Sequence, residues 1–153
     1  MTRIFERDMR RPVCLWLHER GYTPLLECWT YNNCDIAGVT FTGSPRRIDR
    51  VAVVELKLRD VAGVLRQCER HIACGYANVV YAALPCGCAT RAVDVLARAN
   101  IGVLEVDVTA GMVRSLYEPT RCETCSCKGA ERSFWRRRNQ WLDRLDRVGM
   151  RYR

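Results

Sequence analysis

No run of about 18 apolar residues occurs anywhere in this sequence, so no membrane-spanning helix is expected. Residues 1–11 hold no apolar stretch of signal-peptide length. The expected compartment is the cytoplasm, where thiols stay reduced. There is no internal repeat and no low-complexity tract. Histidine is scarce, with only His18 and His71 present, and a lone helical histidine is more often structural than functional.

What is present describes an ordinary folded chain. Its 153 residues fit one domain, with 48% hydrophobic and 27% charged residues. A chain of this length buries roughly two-thirds of its unfolded surface, enough for a core without covalent staples. The formal net charge is +8. Residues 121–153 hold ten basic against four acidic side chains, a net +6 of that total. The body is thus close to neutral and the tail basic, which suits a polyanionic partner.

The pattern alternates helices and strands. A helix begins near residue 4, with Pro12 either kinking it or starting a second one, and stops at Gly21. Three strand-like runs follow at 24–31, 34–42 and 49–58. Asp60 caps a helix that runs to about 74, with Gly75 after it. A strand at 78–84, a helix at 90–99 and strands at 101–108 and 112–117 complete the body. Residues 131–148 read as an amphipathic helix with Arg136, Arg137, Arg144 and Arg147 on its polar face. The expected fold class is α/β: a central mixed β-sheet flanked by helices, with a C-terminal amphipathic basic helix. The expected division is a body at 1–118 and a Cys-containing loop plus basic helix at 119–153.

One constellation carries chemistry. If the loop between the second and third strands is symmetric about Pro45, antiparallel partners have numbers summing to 90. Asp35 then lies directly opposite Glu55, with Cβ atoms about 4.5–5.5 Å apart. Side chains alternate along a strand, so Lys57 shares the face of Glu55. Two facing carboxylates repel, and burial raises the cost. A hard divalent cation resolves the conflict, because Mg²⁺ takes carboxylate oxygens and keeps several waters. A register shift of one residue would send the two acids to opposite faces; Glu55 and Lys57 would then be an ordinary surface stripe and Asp35 a turn residue.

Asp35 followed twenty residues later by Glu55-Leu56-Lys57 at the end of an apolar strand resembles the PD-(D/E)XK nuclease superfamily. That group includes restriction endonucleases and archaeal Holliday-junction resolvases. Cys34 stands where the family's proline usually precedes the first aspartate. The resemblance covers roughly residues 4–108 and extends to small uncharacterised members through Glu6 to Met9, Pro12-Val13, Trp16-Leu17 and Gly21-Tyr22. The stretch from Asn78 to Pro85 and Ile101-Gly102-Val103-Leu104 resemble two of their later strands. It implies a restriction-endonuclease-like fold and hydrolysis of phosphodiester bonds in DNA with Mg²⁺ or Mn²⁺. By the same resemblance Asp35 and Glu55 are metal ligands, Lys57 is the catalytic lysine, Glu6 is an accessory ligand or orienter, and Gln67 positions the lysine or substrate. The competing expectation is a non-catalytic nucleic-acid-binding or assembly module that keeps the fold.

Two further features stand apart. Cys122, Cys125 and Cys127 form a tight thiol cluster, and Cys86 and Cys88 form a second pair. Together they offer thiolates to Zn²⁺, which prefers tetrahedral sulfur; the alternative is a set of reduced thiols. The tail arginines suit phosphate contact, with binding that falls steeply with salt, or a solvated helix face. Trp135 and Trp141 suit core packing or a homodimer contact.

Overall fold

The computed structural model describes residues 4–28, 33–43 and 47–123. A 3₁₀ turn, Glu6–Met9, leads directly into α1, Arg10–Glu19. Pro12 falls in the first turn of α1, where its missing N–H costs nothing. The strands and helices that follow are β1 (Thr23–Cys28), β2 (Cys34–Thr42), β3 (Arg47–Leu56), α2 (Val61–Cys74), β4 (Val79–Pro85), α3 (Cys88–Arg98), β5 (Gly102–Asp107) and β6 (Met112–Tyr117). They build one six-stranded sheet in the order β1-β2-β3-β4-β5-β6. The first three strands form an antiparallel meander. β3, β4 and β5 run parallel, and β6 closes the sheet antiparallel to β5. The chain is therefore α/β with a mixed open sheet. The expected tail helix and its arginines, Arg136, Arg137, Arg144 and Arg147, lie outside the described residues.

Two parallel crossovers, through α2 and α3, step across the sheet in the same direction. The handedness rule for such units puts both helices on one face. α2 packs on β3 and β4, and α3 on β4 and β5. α1 covers the other face. Its Trp16 meets the ring of Tyr81 edge-on at 5.3 Å, and Leu17 approaches Gly38 so closely that a Cβ there would lie 3.2 Å from it.

Local chemistry sets the helix ends. Asp60 accepts the Gly63 N–H at 2.7 Å and caps α2. Gly75 ends it in the left-handed region with φ of 70°. The core is aliphatic, with Val51, Ala52, Val53 and Val54 of β3 and Ala82, Ala83 and Leu84 of β4 fully buried. That near-continuous apolar reading is what a parallel strand covered on both faces requires.

Beyond β6 the chain turns back across the amino ends of the parallel strands. Tyr81 donates to Glu118 at 2.8 Å. Asn100 accepts the Thr120 N–H at 2.8 Å and donates to the Thr120 carbonyl. Asn78 donates to the Cys122 carbonyl at 2.8 Å, and the Cys122 N–H returns a bond to the Asn78 carbonyl. The segment after Tyr117 is thus tied to the body at three places, opposite the end where β3 finishes.

Candidate active site

The β2–β3 pairing decides whether the acids meet. Ile36 pairs with Val54, Ala37 with Val53, Gly38 with Ala52 and Val39 with Val51. Every one of these pairs sums to 90, and continuing the ladder by one step sets Asp35 against Glu55. Nearer the loop the register changes. Phe41 pairs with Ile48 and Thr42 with Arg47, and the shift falls between Thr40 and Phe41. Asp49 is the extra residue of this bulge. Without it the loop-end register would carry through, and Asp35 would face Val54 on the wrong side of the sheet.

Asp35 ends the hairpin with its side chain. Its Oδ2 accepts the Leu56 N–H at 2.8 Å. The carboxyl is pushed up to about 6, first by burial and then by the neighbouring Glu55, which lies within hydrogen-bonding reach; the Leu56 N–H and the Lys57 charge pull the other way. Two acids crowded together hold a proton between them more readily than one acid does.

Glu55 is only 2% exposed. Its Oε1 lies 2.5 Å from Nε2 of His71, itself 1% exposed. The other ring nitrogen of His71, Nδ1, meets the Tyr76 hydroxyl. Glu55 therefore faces α2, and alternation places Lys57 on the same side just past the strand end. The Lys57 N–H bonds the Ala83 carbonyl of β4 at 3.1 Å, which fixes its backbone. Its Nζ lies 3.5 Å from Oε1 of Glu6, with Lys57 23% and Glu6 42% exposed. The 3₁₀ turn before α1 thereby delivers a third carboxylate to the rim. Gln67 lies one turn before His71 on the same side of α2. Its Oε1 is buried and has no hydrogen-bond partner among the described residues.

The donor set suits a hard cation. Two facing carboxylates largely withdrawn from water, Asp35 with a raised proton affinity, gain from a divalent ion placed between them. Among the described residues no three His, Cys, Asp or Glu side chains form a ready-made cation cage. Mg²⁺ does not require one, since it is commonly bound through one or two carboxylates with waters filling its octahedron. The orphaned Gln67 oxygen adds an acceptor that such a water can satisfy.

The thiols behave differently. Cys86 and Cys88 follow the carboxyl end of β4, whereas Cys122 is bonded to Asn78 before its amino end. Eight residues of extended chain separate those ends by about 25 Å, against about 2.3 Å for a Zn–S bond. Cys86 is also pushed up, by burial and by Glu105 and Asp107. The structure therefore does not bring Cys86, Cys88 and Cys122 to one ion. Cys125 and Cys127 lie outside the described residues.

From the sequence, His71 one helical turn after Gln67 could face the same cleft, with a structural role the commoner case; its pairing with Glu55 and Tyr76 is what sequence reasoning did not reach. The available signal was His71 four residues after Gln67 on a helix that follows the Lys57 strand. No protein-family model, no curated protein and no solved structure matches this chain.

The raised Asp35 proton affinity has a thermodynamic consequence. The ordinary value is 3.8 and the folded value about 6, so the unfolded chain releases this proton first as pH rises. The cation-free fold loses stability across that window and does not regain it above. A cation that takes both carboxylates counters the loss only where they are ionised. Magnesium at about 100 times its dissociation constant should therefore raise Tm by about 5 to 10 °C at pH 7.5. The increment should shrink strongly at pH 5. Thermal melts at the two pH values check this, and an equal increment at both would contradict it.

Proposed function

We propose that this chain is a Mg²⁺-dependent nuclease that hydrolyses phosphodiester bonds in DNA, of the restriction-endonuclease-like, PD-(D/E)XK type. The observation that carries the reading is the hairpin register that sets Asp35 against Glu55 and leaves Lys57 on their face. Asp35 and Glu55 would hold the ion, which Mn²⁺ can replace. When bound, the ion supplies electrophilic polarisation of the scissile phosphate and makes a water a better nucleophile at neutral pH.

The chain's own groups do the rest. Lys57 places a mobile ammonium beside the acids, able to hydrogen-bond a phosphate oxygen and stabilise charge that grows during in-line attack. Glu6, 3.5 Å away, holds that ammonium over the site instead of letting it extend into water. Gln67 offers a buried carbonyl oxygen to orient a water or the lysine. The basic tail supplies sequence-independent attraction to the phosphate backbone. A cytoplasmic location and a homodimer belong to the same proposal.

A supercoiled plasmid incubated with the full chain tests it. Nicking should require added Mg²⁺ or Mn²⁺ and stop on chelation. A plasmid that stays bound yet intact with either ion would instead support the non-catalytic binding module. Equal nicking with and without chelator would remove the metal-dependent reading.

A further inference from the structure

We infer that His71 and Tyr76 are positioning residues that hold Glu55 as a one-oxygen ligand, and so set the site's preference for Mg²⁺ over Ca²⁺. The inference rests on the nuclease reading above, because it needs a cation shared by Asp35 and Glu55.

The two ions ask different things of a carboxylate. Ca²⁺ gathers six to eight oxygens and often takes both oxygens of one acid. Mg²⁺ demands an octahedron, takes one oxygen from each acid and keeps its waters. A protein that pins one oxygen of every ligating carboxylate therefore disfavours the larger ion.

Both acids here are pinned. Asp35 spends Oδ2 on the Leu56 N–H at 2.8 Å. Glu55 spends Oε1 on His71 Nε2 at 2.5 Å. The two side chains in the second bond are each 2% exposed, so water does not compete for it. That leaves Asp35 Oδ1 and Glu55 Oε2 for a shared ion.

The Glu55 pin is itself braced. A carboxylate only accepts, so the proton of this bond sits on His71 Nε2. Nδ1 then faces the Tyr76 hydroxyl, which can donate to it and fix the tautomer. The Tyr76 ring also meets the imidazole edge-on, with centroids 6.0 Å apart. The imidazole thus joins the Glu55 carboxylate on one nitrogen to the Tyr76 hydroxyl on the other.

Calorimetric titration of the full chain with MgCl₂ and separately with CaCl₂ tests the inference on wild type, His71→Leu, His71→Gln and Tyr76→Phe. His71→Leu should weaken Mg²⁺ binding by about tenfold and raise the Ca²⁺-to-Mg²⁺ affinity ratio by about tenfold. His71→Gln, whose amide N–H can reach the same oxygen, should keep the ratio within about threefold of wild type. Tyr76→Phe should move the ratio in the same direction as His71→Leu, by about threefold. A residue that merely supports the fold would lower both affinities together and leave the ratio alone, which overturns the inference. If His71→Leu lacks a native circular-dichroism spectrum, Tyr76→Phe decides, and a wild-type ratio there overturns it. Wild type that binds neither ion overturns both this inference and the nuclease reading. Wild type that binds and cleaves while Tyr76→Phe keeps its ratio overturns this inference alone.

Discussion

On the proposed nuclease reading, Lys57→Ala should lower the rate of DNA cleavage by about two to three orders of magnitude, the usual cost of deleting one preorganised charge-stabilising donor. Its effect on stability is small. The Lys57–Glu6 pair is partly exposed, and such pairs contribute about 1 kcal/mol or less. Affinity for DNA should change little, since most of the net basic charge resides in the tail. Lys57→Arg should not restore the rate, because a planar guanidinium presents its donors in a fixed fork and does not direct one compact, mobile charge as an ammonium does. A second readout separates this role from mere charge loss. Lys57 pulls the Asp35 proton affinity down, so its removal moves the onset of Mg²⁺ stabilisation to higher pH. Single-turnover cleavage rates and thermal melts across pH measure both. A variant that cleaves at the wild-type rate would remove Lys57 from the chemistry.

Asp35→Asn separates stability from activity in opposite directions. The amide oxygen still accepts the Leu56 N–H, and the amide NH₂ faces Glu55. A repulsive contact between two acids becomes a hydrogen bond. The cation-free variant should therefore melt a few degrees above wild type at pH 7.5, a gain of roughly 1–2 kcal/mol of the kind seen when a functional site is relieved of its strain. Cleavage should fall by roughly a thousandfold, because a lost ligand forfeits several kcal/mol of charge stabilisation. Added Mg²⁺ should no longer raise Tm. Melts with and without the ion, run beside the plasmid assay, give all three numbers. A cation-free variant less stable than wild type would show that the two acids are not in conflict.

Most of the element order was legible because each segment is locally consistent. The run from Val51 to Val54 reads as a buried strand, Asp60 and Gly75 bracket α2, and both capping signals act as expected. The register was legible only in part. Symmetry about Pro45 puts Asp35 against Glu55, and the ladder next to the acids agrees. The pairs beside the loop do not, and the bulge at Asp49 absorbs the difference. Nothing in the residues around Asp49 announces a bulge, since it is set by how two twisted strands meet. Glu6 was placed by resemblance alone, and its approach to Lys57 is a tertiary contact across 51 positions. The His71 contact was hidden for the same reason. A helix side chain and a strand side chain meet only after the crossover is folded, and a single histidine carries no periodic signal. Of the expected zinc set, Cys86 and Cys88 lie at one end of β4 and Cys122 before the other, a separation that sequence proximity does not reveal, while Cys125 and Cys127 lie outside the described residues.

The bond from Leu56 to Asp35 gives the site a built-in observer. That amide is the last rung of the hairpin, and its acceptor is a carboxylate instead of a carbonyl. Its solvent exchange and its chemical shift are therefore governed by the Asp35 side chain. In a protein of 153 residues, a single resonance can report whether the acid is seated, protonated or engaged by an ion, without any substrate present.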